Sequence, residues 1–320
     1  MNRPLFVIRL LEYYKKFNFK GSIHIGDSSN EKNKNILLNK IESLKKNLKI
    51  EYQYLPNHNI EITQNILTKK VKEKFVVFSG DDDFFIINSL EKCILFLEEN
   101  LDYSICHGKS YIFKVIKDKL YDKINYIEKY RMNEISNPDP IIRFKEHINN
   151  YWVSIFSVHR TAEYLDDLSY MDKIKIESFR EQLLSLLPII RGKSKTLNCD
   201  YLFRQVHNQR YANPNLSKLV LDPDFSNSYL NIKKILSNLL NKKSKKEENF
   251  FEQIIEDAYA NKIFAPKHNN NFKRKSIMVN IKMFINSFFN NYFSNRKIKN
   301  FFSKDVQLNL FYQFLSTGEK

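Results

Sequence analysis

The apolar positions in the first hundred residues predict strands and amphipathic helices in alternation. Leu37, Ile41 and Leu44 recur at helical spacing, whereas Ile50 and Tyr52 alternate with polar residues as they do in a strand. The predicted order is helix 5–14, strand 22–25, helix 36–48, strand 50–54, helix 61–72, buried strand 75–79 and helix 89–99. Alternation of this kind predicts an α/β fold with a mostly parallel sheet and helices on its faces.

Acidic residues follow two of the predicted strands. Asp81, Asp82 and Asp83 come directly after the apolar run 75–78, and Asp27 follows the strand 22–25. Ligands of open α/β sheets bind beyond the carboxyl ends of the strands, so we expect these carboxylates to border one crevice. Three adjacent carboxylates repel one another, which favours a bound cation. The alternatives are a solvated acidic loop for the triplet, and a turn or helix N-cap for Asp27.

Composition narrows the class of protein. The 320 residues are 42% hydrophobic and 14% aromatic, enough for a sizeable core. The net charge of +16 permits attraction to phosphate, acidic glycans or an anionic membrane, although a coding bias toward Lys, Asn and Ile explains it equally well. The three cysteines have no metal-ligand spacing, and no secretory or membrane-spanning segment is visible, so we expect a cytoplasmic protein, soluble or peripheral.

The composition changes after about residue 235. We therefore predict two parts, a main domain at 1–235 and a basic helical C-terminal extension at 236–320. Within the extension, apolar and aromatic residues of 277–293 fall largely at helical spacing among Lys, Arg and Asn. Such a helix could lie on an anionic membrane surface at the inner face of the membrane, or pack on the main domain or another subunit.

Three segments together resemble a known family of enzymes. They are Asn2-Arg3-Pro4 with the apolar helix that follows, Ile25-Gly26-Asp27-Ser28-Ser29, and Ser79-Gly80-Asp81-Asp82-Asp83-Phe84. Over residues 2–110 the sequence resembles the nucleotide-binding half of a GT-A glycosyltransferase, similar to family-two enzymes of bacterial surface-polysaccharide assembly. The resemblance implies a GT-A (Rossmann-like) fold. It also implies that a hydrophobic strand precedes the Asn-Arg segment, and the sequence as printed begins without that strand.

The resemblance assigns roles on the donor side. In this family the residue matching Asp27 binds the nucleobase, usually uracil, and an acidic DxD element contacts the ribose and a Mn²⁺ or Mg²⁺ ion on the diphosphate. Read as DxD, the pair is Asp81 and Asp83. In a second register Asp82 is the main metal ligand, and the sequence leaves both registers open. We therefore assign Asp27 and Asp81 to donor binding and Asp82 and Asp83 to the metal, with a UDP-sugar as the favoured donor.

On the acceptor side an inverting mechanism needs a carboxylate base. Glu181, in the predicted helix 177–190, resembles the catalytic carboxylate of the subgroup, with Glu177 one turn earlier in reserve. A solvated glutamate near a helix N-terminus is the alternative. The acceptor would be a glycan or a lipid-linked glycan. Some basic side chains could hold a phosphate or an acceptor, although core packing or surface ion pairs explain them too: His107, His159, Arg160, Lys193, Arg204 and His207.

Two other function classes fit parts of the sequence. A basic nucleic-acid-binding protein would suit the charge, but no recognised nucleic-acid module is present, so we expect no nucleic-acid partner. A Mg²⁺-dependent nucleotidyltransferase also uses acidic strand ends, yet it usually needs a Gly-rich phosphate loop, and the chain has only 6 glycines. A glycosyltransferase therefore remains the favoured interpretation.

Overall fold

The computed structural model of the chain describes residues 2–208, 219–244, 248–264 and 296–318. Its strands are β1 (Ser22–Asp27), β2 (Lys49–Tyr54), β3 (Phe75–Val76), β4 (Asp83–Phe85), β5 (Tyr103–Val115), β6 (Ile124–Tyr130), β7 (Val158–Arg160) and β8 (Lys193–Gln205). Its α-helices are α1 (Pro4–Lys16), α2 (Glu31–Leu44), α3 (Ile60–Thr68), α4 (Ile87–Glu99), α5 (Pro140–Asn149), α6 (Thr161–Leu168), α7 (Glu177–Arg191), α8 (Phe225–Ser244), α9 (Glu248–Phe264), α10 (296–302) and α11 (Val306–Thr317).

The strands form two sheets of mixed direction. β1 and β2 make a parallel pair, and the second sheet has the order β3-β7-β5-β8-β4, with β6 paired to β5. Within the second sheet β5 and β8 are parallel, whereas β3–β7, β5–β7, β4–β8 and β5–β6 are antiparallel. The predicted α/β class is confirmed. The sheet, however, is mixed rather than mostly parallel, because strand pairing beyond residue 100 brings in the antiparallel neighbours.

The strand that leads to the acidic triplet is shorter and more open than predicted. β3 has two residues instead of the five expected at 75–79, and all of 75–78 are only partly buried. β3 pairs with β7 alone, and no described strand lies between β3 and β1. Ser22, at the start of β1, hydrogen-bonds Glu73, which precedes β3. The starts of β1 and β3 are therefore close together, although the two strands belong to separate sheets.

Local sequence explains most of the helix boundaries near the site. Asn30 and Asn59 cap α2 and α3 through side-chain oxygens that accept backbone N–H bonds of 3.0 and 2.8 Å. α4, in contrast, begins at Ile87 with no side-chain cap. The reason is that β4 runs almost directly into α4, and the Ile86 N–H bonds the carbonyl of Tyr201.

Two hydrophobic clusters cover the sheets. One cluster joins the second sheet to α4, α5, α7, α8 and α9, and the other joins β1, β2 and parts of β4, β5 and β8 to α1, α2, α10 and α11. The predicted division after residue 235 falls inside α8, where Ile232 and Leu236 belong to the same cluster. Segment 277–293 lies outside the described residues. None of the helices that are described is long and apolar enough to span a membrane.

Two histidines that could have served a phosphate site are part of the core instead. His107 and His159 are 0% and 2% exposed. His107 lies edge-on to Trp152, and His159 Nε2 is 3.2 Å from the carbonyl oxygen of Ser154. Burial lowers the pKa of each histidine from 6.5 to about 4, because the charged form loses its hydration. Both imidazoles are therefore neutral in the folded chain at neutral pH.

The buried histidines make stability depend on pH. Below pH 6.5 the unfolded chain binds protons at His107 and His159 that the folded chain does not bind until about pH 4. The contribution of the two neutral histidines to the free energy of unfolding is therefore fully present above pH 6.5. As the pH falls from 6.5 toward about 4, the free energy of unfolding decreases by about 1.4 kcal/mol per pH unit for each histidine. Urea unfolding at pH 6.0, 5.5 and 5.0 measures the slope, since each value lies between about 4 and 6.5.

Replacing one histidine at a time separates this effect from other titrations. His107→Asn and His159→Asn should each reduce the slope by about 1.4 kcal/mol per pH unit, whatever they do to absolute stability. Identical slopes in the wild type and in both variants would contradict neutral burial of these two histidines.

Candidate functional site

Asp27 is the last residue of β1 and is buried. Its Oδ2 accepts a 2.9 Å hydrogen bond from the hydroxyl of Tyr52, and its Oδ1 accepts a 2.9 Å bond from the Ser29 N–H. Burial and the Asp27 carboxylate raise the pKa of Tyr52, so this hydroxyl stays a donor. A carboxylate oxygen has room for two hydrogen bonds, which leaves Asp27 the capacity to accept from a ligand. Lys34 stands nearby, with its Nζ 4.3 Å from the ring centre of Tyr54.

The N-terminal residues connect the Asp27 turn to the acidic triplet. The backbone N–H of Asn2 donates to Ser29 Oγ at 2.9 Å, and the Asn2 side-chain oxygen accepts from the Asn30 N–H at 2.9 Å. The next residue, Arg3, donates from Nη2 to Asp81 Oδ1. Three hydrogen bonds and the peptide bond between Asn2 and Arg3 thus connect Asp27 to Asp81 through Ser29, Asn2 and Arg3. Asp27 and the acidic triplet, which the sequence placed after two strands, therefore lie on the same side of the molecule.

Each aspartate of the triplet has a basic partner. Arg3 pairs with Asp81, and His207 Nε2 lies 2.9 Å from Asp82 Oδ2. Asp83 is the first residue of β4 and faces Arg204 of β8 in the antiparallel register, with Arg204 Nε 3.1 Å from Asp83 Oδ1. Backbone pairing therefore fixes the Asp83 contact, whereas Asp81 and Asp82 lie in the loop between β3 and β4.

The triplet carries an uneven distribution of charge. Burial raises the pKa of Asp81 to about 6, with the Asp82 charge adding to the shift and Arg3 opposing it. Burial also acts to raise the pKa of Asp82, but the hydrogen bond from His207 and the charges of Arg3 and Arg204 outweigh it, so the net shift is downward. Asp82 is therefore ionised throughout the neutral range, as a hard cation ligand must be.

A small space over Gly80 separates two of these carboxylates. A Cβ atom built at Gly80 would lie 2.8 Å from Asp83 Oδ2 and 2.9 Å from Asp82 Oδ1, closer than real Cβ contacts. Gly80 has no positive φ, so the space and not the backbone conformation requires glycine. Two carboxylate oxygens therefore converge on one point next to a residue without a side chain.

Two carboxylates can hold a cation only when other ligands complete its shell. Among the described residues, no group of three or more His, Cys, Asp or Glu side chains could hold a metal ion by itself. A Mg²⁺ site of the phosphate-transfer type, however, uses only one or two carboxylates and completes its shell with substrate oxygens and water. The oxygens of Asp82 and Asp83 over Gly80 meet that smaller requirement.

The two candidate bases on α7 lie in different surroundings. The Tyr151 hydroxyl donates to Glu181 Oε1 at 3.4 Å, and burial together with the Glu181 charge raises the pKa of Tyr151 well above its ordinary value. Burial also raises the pKa of Tyr130, and the charges of Glu181 and Asp83 both add to that shift. The charges of Glu181 and of Asp83 therefore both act on the Tyr130 hydroxyl.

Glu177, one turn earlier, lies toward another part of the molecule. Its charge adds to the raised pKa of Glu61 on α3, a shift whose main cause is burial. Glu61 in turn pairs with Arg180, with Arg180 Nε 2.9 Å from Glu61 Oε2. This buried pair ties α3 to α7 and has no contact with Asp81–Asp83 among those the structure defines. The charge of Glu177 therefore acts on the Glu61–Arg180 pair, whereas that of Glu181 acts on Tyr151 and Tyr130.

Four other predicted basic residues divide between the site and the scaffold. Arg204 and His207 contact the triplet. Arg160 Nη2 donates to the carbonyls of Leu97, Asn100 and Tyr103 around the end of α4, and Lys193 pairs with Asp102 at the surface. The roles of Arg3, Tyr52 and Tyr130 were not predicted, because each depends on contacts across 25 or more residues.

The architecture defines a class of protein, the GT-A-like α/β folds, which confirms the fold expected from the sequence. Solved structures of TarS from S. aureus share it. Residues 1–349 of TarS superpose with a TM-score of 0.52 at 16% identity, covering 85% of this chain and 71% of TarS. TarS with UDP-GlcNAc gives 0.54 at 16%, covering 86% and 73%, and TarS with UDP gives 0.50 at 18%, covering 86% and 72%. No protein-family model and no curated protein matches the sequence.

Proposed function

We propose that this chain is a glycosyltransferase that moves a sugar from a nucleoside diphosphate donor, with UDP favoured, to a glycan or lipid-linked acceptor. The observation that carries the proposal is the connection of Asp27 to Asp81 through Ser29, Asn2 and Arg3, which brings both predicted donor-binding elements to the same side of the molecule. Solved complexes of TarS with UDP-GlcNAc and with UDP support a nucleotide-sugar donor. The alternative of two unrelated acidic loops does not explain why the adjacent residues Asn2 and Arg3 contact both of them.

On the donor side, the residues divide the nucleotide between them. Asp27, held by Tyr52 and Ser29, accepts hydrogen bonds from the nucleobase. Asp81 contacts the donor, and the oxygens of Asp82 and Asp83 over Gly80 would hold Mn²⁺ or Mg²⁺. Such an ion, when bound, stabilises negative charge on the leaving diphosphate.

On the acceptor side, Glu181 is the proposed base of an inverting reaction. It takes the proton of the acceptor hydroxyl as that oxygen forms a bond to the sugar C1, while the bond from C1 to the diphosphate oxygen breaks on the opposite face. The Tyr151 hydroxyl, 3.4 Å from Glu181 Oε1 and 3.3 Å from Ser185 Oγ, orients the carboxylate. The products are the glycosylated acceptor and the nucleoside diphosphate.

The proposed setting is bacterial surface-polysaccharide assembly in the cytoplasm. Membrane contact through 277–293 is part of the proposal, since lipid-linked acceptors lie at that surface and the segment is rich in basic and aromatic residues. No described residue argues for or against this contact.

A thermal-unfolding experiment tests the donor and metal assignments together. UDP, GDP and CDP are each added with and without Mn²⁺, and we expect one nucleotide, UDP, to stabilise the fold most strongly when Mn²⁺ is present. A ligand at one hundred times its Kd adds about 2.7 kcal/mol to the free energy of unfolding. Gly80→Ala, compared with its own unfolding without ligand, should lose the Mn²⁺-dependent part, because its Cβ would lie 2.8 Å from Asp83 Oδ2 and 2.9 Å from Asp82 Oδ1 and would displace these oxygens.

The same experiment separates the rival function. A single-stranded oligonucleotide is measured beside the nucleotides at several salt concentrations. Stabilisation by the oligonucleotide that falls steeply with salt, without any response to a nucleotide and Mn²⁺, would favour the nucleic-acid-binding alternative. A Mn²⁺-dependent response to UDP that is absent in Gly80→Ala supports the glycosyltransferase.

A further inference from the structure

Arg3 places a positive charge at the acidic triplet. Its Nη2 pairs with Asp81 Oδ1, and its Nη1 lies 3.5 Å from Asp82 Oδ2 and 3.1 Å from His207 Nε2. The Arg3 side chain is 21% exposed, so water screens the two contacts only in part. One guanidinium thus spans two of the three carboxylates of the site.

The backbone around Arg3 holds it in this position. Asn2 is fixed to the turn after β1 through Ser29 and Asn30, and Pro4 begins α1 directly after Arg3. The Arg3 guanidinium also lies 5.3 Å from the ring centre of Phe6, one turn into that helix. Arg3 is therefore anchored on both sides, and only its side chain is left to move relative to the site.

A second cation at this site competes with Arg3. A divalent ion beside Asp82 and Asp83 would stand within a few ångströms of the guanidinium, and like charges at that separation repel. The ion would also need charge on Asp82 that Arg3 already offsets. A diphosphate changes this balance, because it offers the guanidinium negative oxygens that match its geometry.

We propose that Arg3 is a built-in counter-cation of the donor site, which holds Asp81 and Asp82 in the ligand-free chain and makes divalent-cation binding depend on the diphosphate. The inference rests on the proposed function, since it assumes that the site binds both ligands. Arg3 would then set how strongly binding of the diphosphate and binding of the divalent cation depend on each other, and in which order they occur. Coupling between two ligands is reciprocal, so Mn²⁺ should strengthen UDP binding by the same factor by which UDP strengthens Mn²⁺ binding.

Arg3→Gln tests the proposal without reference to activity. Free Mn²⁺ is titrated by electron paramagnetic resonance against the full chain, with and without saturating UDP. Without UDP, Arg3→Gln should bind Mn²⁺ about tenfold more tightly than the wild type, and UDP should strengthen Mn²⁺ binding about tenfold less than it does in the wild type. Lys15→Gln, an exposed residue on α1, removes the same charge away from the site and should bind Mn²⁺ like the wild type.

A second variant helps to distinguish failure of the counter-cation proposal from failure of the glycosyltransferase proposal. Arg3→Lys retains the charge, so its Mn²⁺ affinity without UDP should stay closer to the wild type than to Arg3→Gln. Equal Mn²⁺ affinities in wild type and Arg3→Gln, both responsive to UDP, would overturn the counter-cation role and leave the glycosyltransferase proposal in place. Absence of Mn²⁺ and UDP binding in every variant would overturn both.

Discussion

Asp82→Asn and Asp83→Asn each lower donor turnover on the order of 10²–10³-fold, the range found when one preorganised electrostatic contact to a transition state is removed. Both substitutions keep the side-chain size and remove the charge that faces the space over Gly80. The proposed leaving group is a diphosphate, whose developing charge depends on the cation held there. Release of UDP from UDP-sugars in the presence of Mn²⁺ measures the effect.

Controls are needed because the two aspartates also support the fold. Asp83→Asn leaves Arg204 without its ion-pair partner in a buried position, so thermal unfolding must show that the variant is folded at the assay temperature. Asp102→Asn removes an exposed carboxylate that pairs with Lys193 and should retain wild-type turnover. Wild-type rates in both Asp82→Asn and Asp83→Asn would rule out the metal assignment.

Local pattern was sufficient to predict most elements of the first hundred residues. α1, β1, β2 and α4 lie within two residues of their predicted bounds, whereas α2 (Glu31–Leu44) begins and ends several residues before the predicted helix 36–48. β3 differed in its burial as well. Its apolar run 75–78 indicated a buried strand, but burial of a strand depends on neighbours on both sides, and β3 has only β7. The sequence carries no local signal for which strands are present on each side.

Strand direction and side-chain partners were the parts that local pattern could not supply. The antiparallel pairing of β4 with β8 places Asp83 opposite Arg204, a contact between residues more than one hundred positions apart. Arg3 reaches Asp81 only because α1 begins beside the β1 turn. The aspartates themselves were predictable, since acidic residues directly after a strand are visible in sequence. The basic side chain that pairs with each aspartate was not predictable.

The three aspartates of the triplet have different neighbours in the structure. Asp82 and Asp83 direct oxygens to the space over Gly80, whereas Asp81 turns toward Arg3. The proposal that Asp81 contacts the donor and the other two hold the cation follows from this division. In a DxD register Asp81 and Asp83 would share the ion, which would require Arg3 to leave Asp81.

Glu181→Gln should lower the rate of sugar transfer on the order of 10²–10⁴-fold, the usual contribution of a positioned general base. The amide cannot take the acceptor proton, yet it can keep the hydrogen bond from Tyr151. Donor binding depends on residues around Asp27 and the triplet, so the Kd for UDP in the presence of Mn²⁺ should stay unchanged. Transfer to an acceptor glycan and calorimetric binding of UDP measure the two quantities separately.

Glu177→Gln is the matched control, because it makes the same chemical change one turn earlier on the same helix. Glu177 lies toward Glu61 and Arg180, and loss of its charge should leave transfer within a few fold of the wild type. A large loss in Glu177→Gln with little loss in Glu181→Gln would move the base to the α3 side of α7.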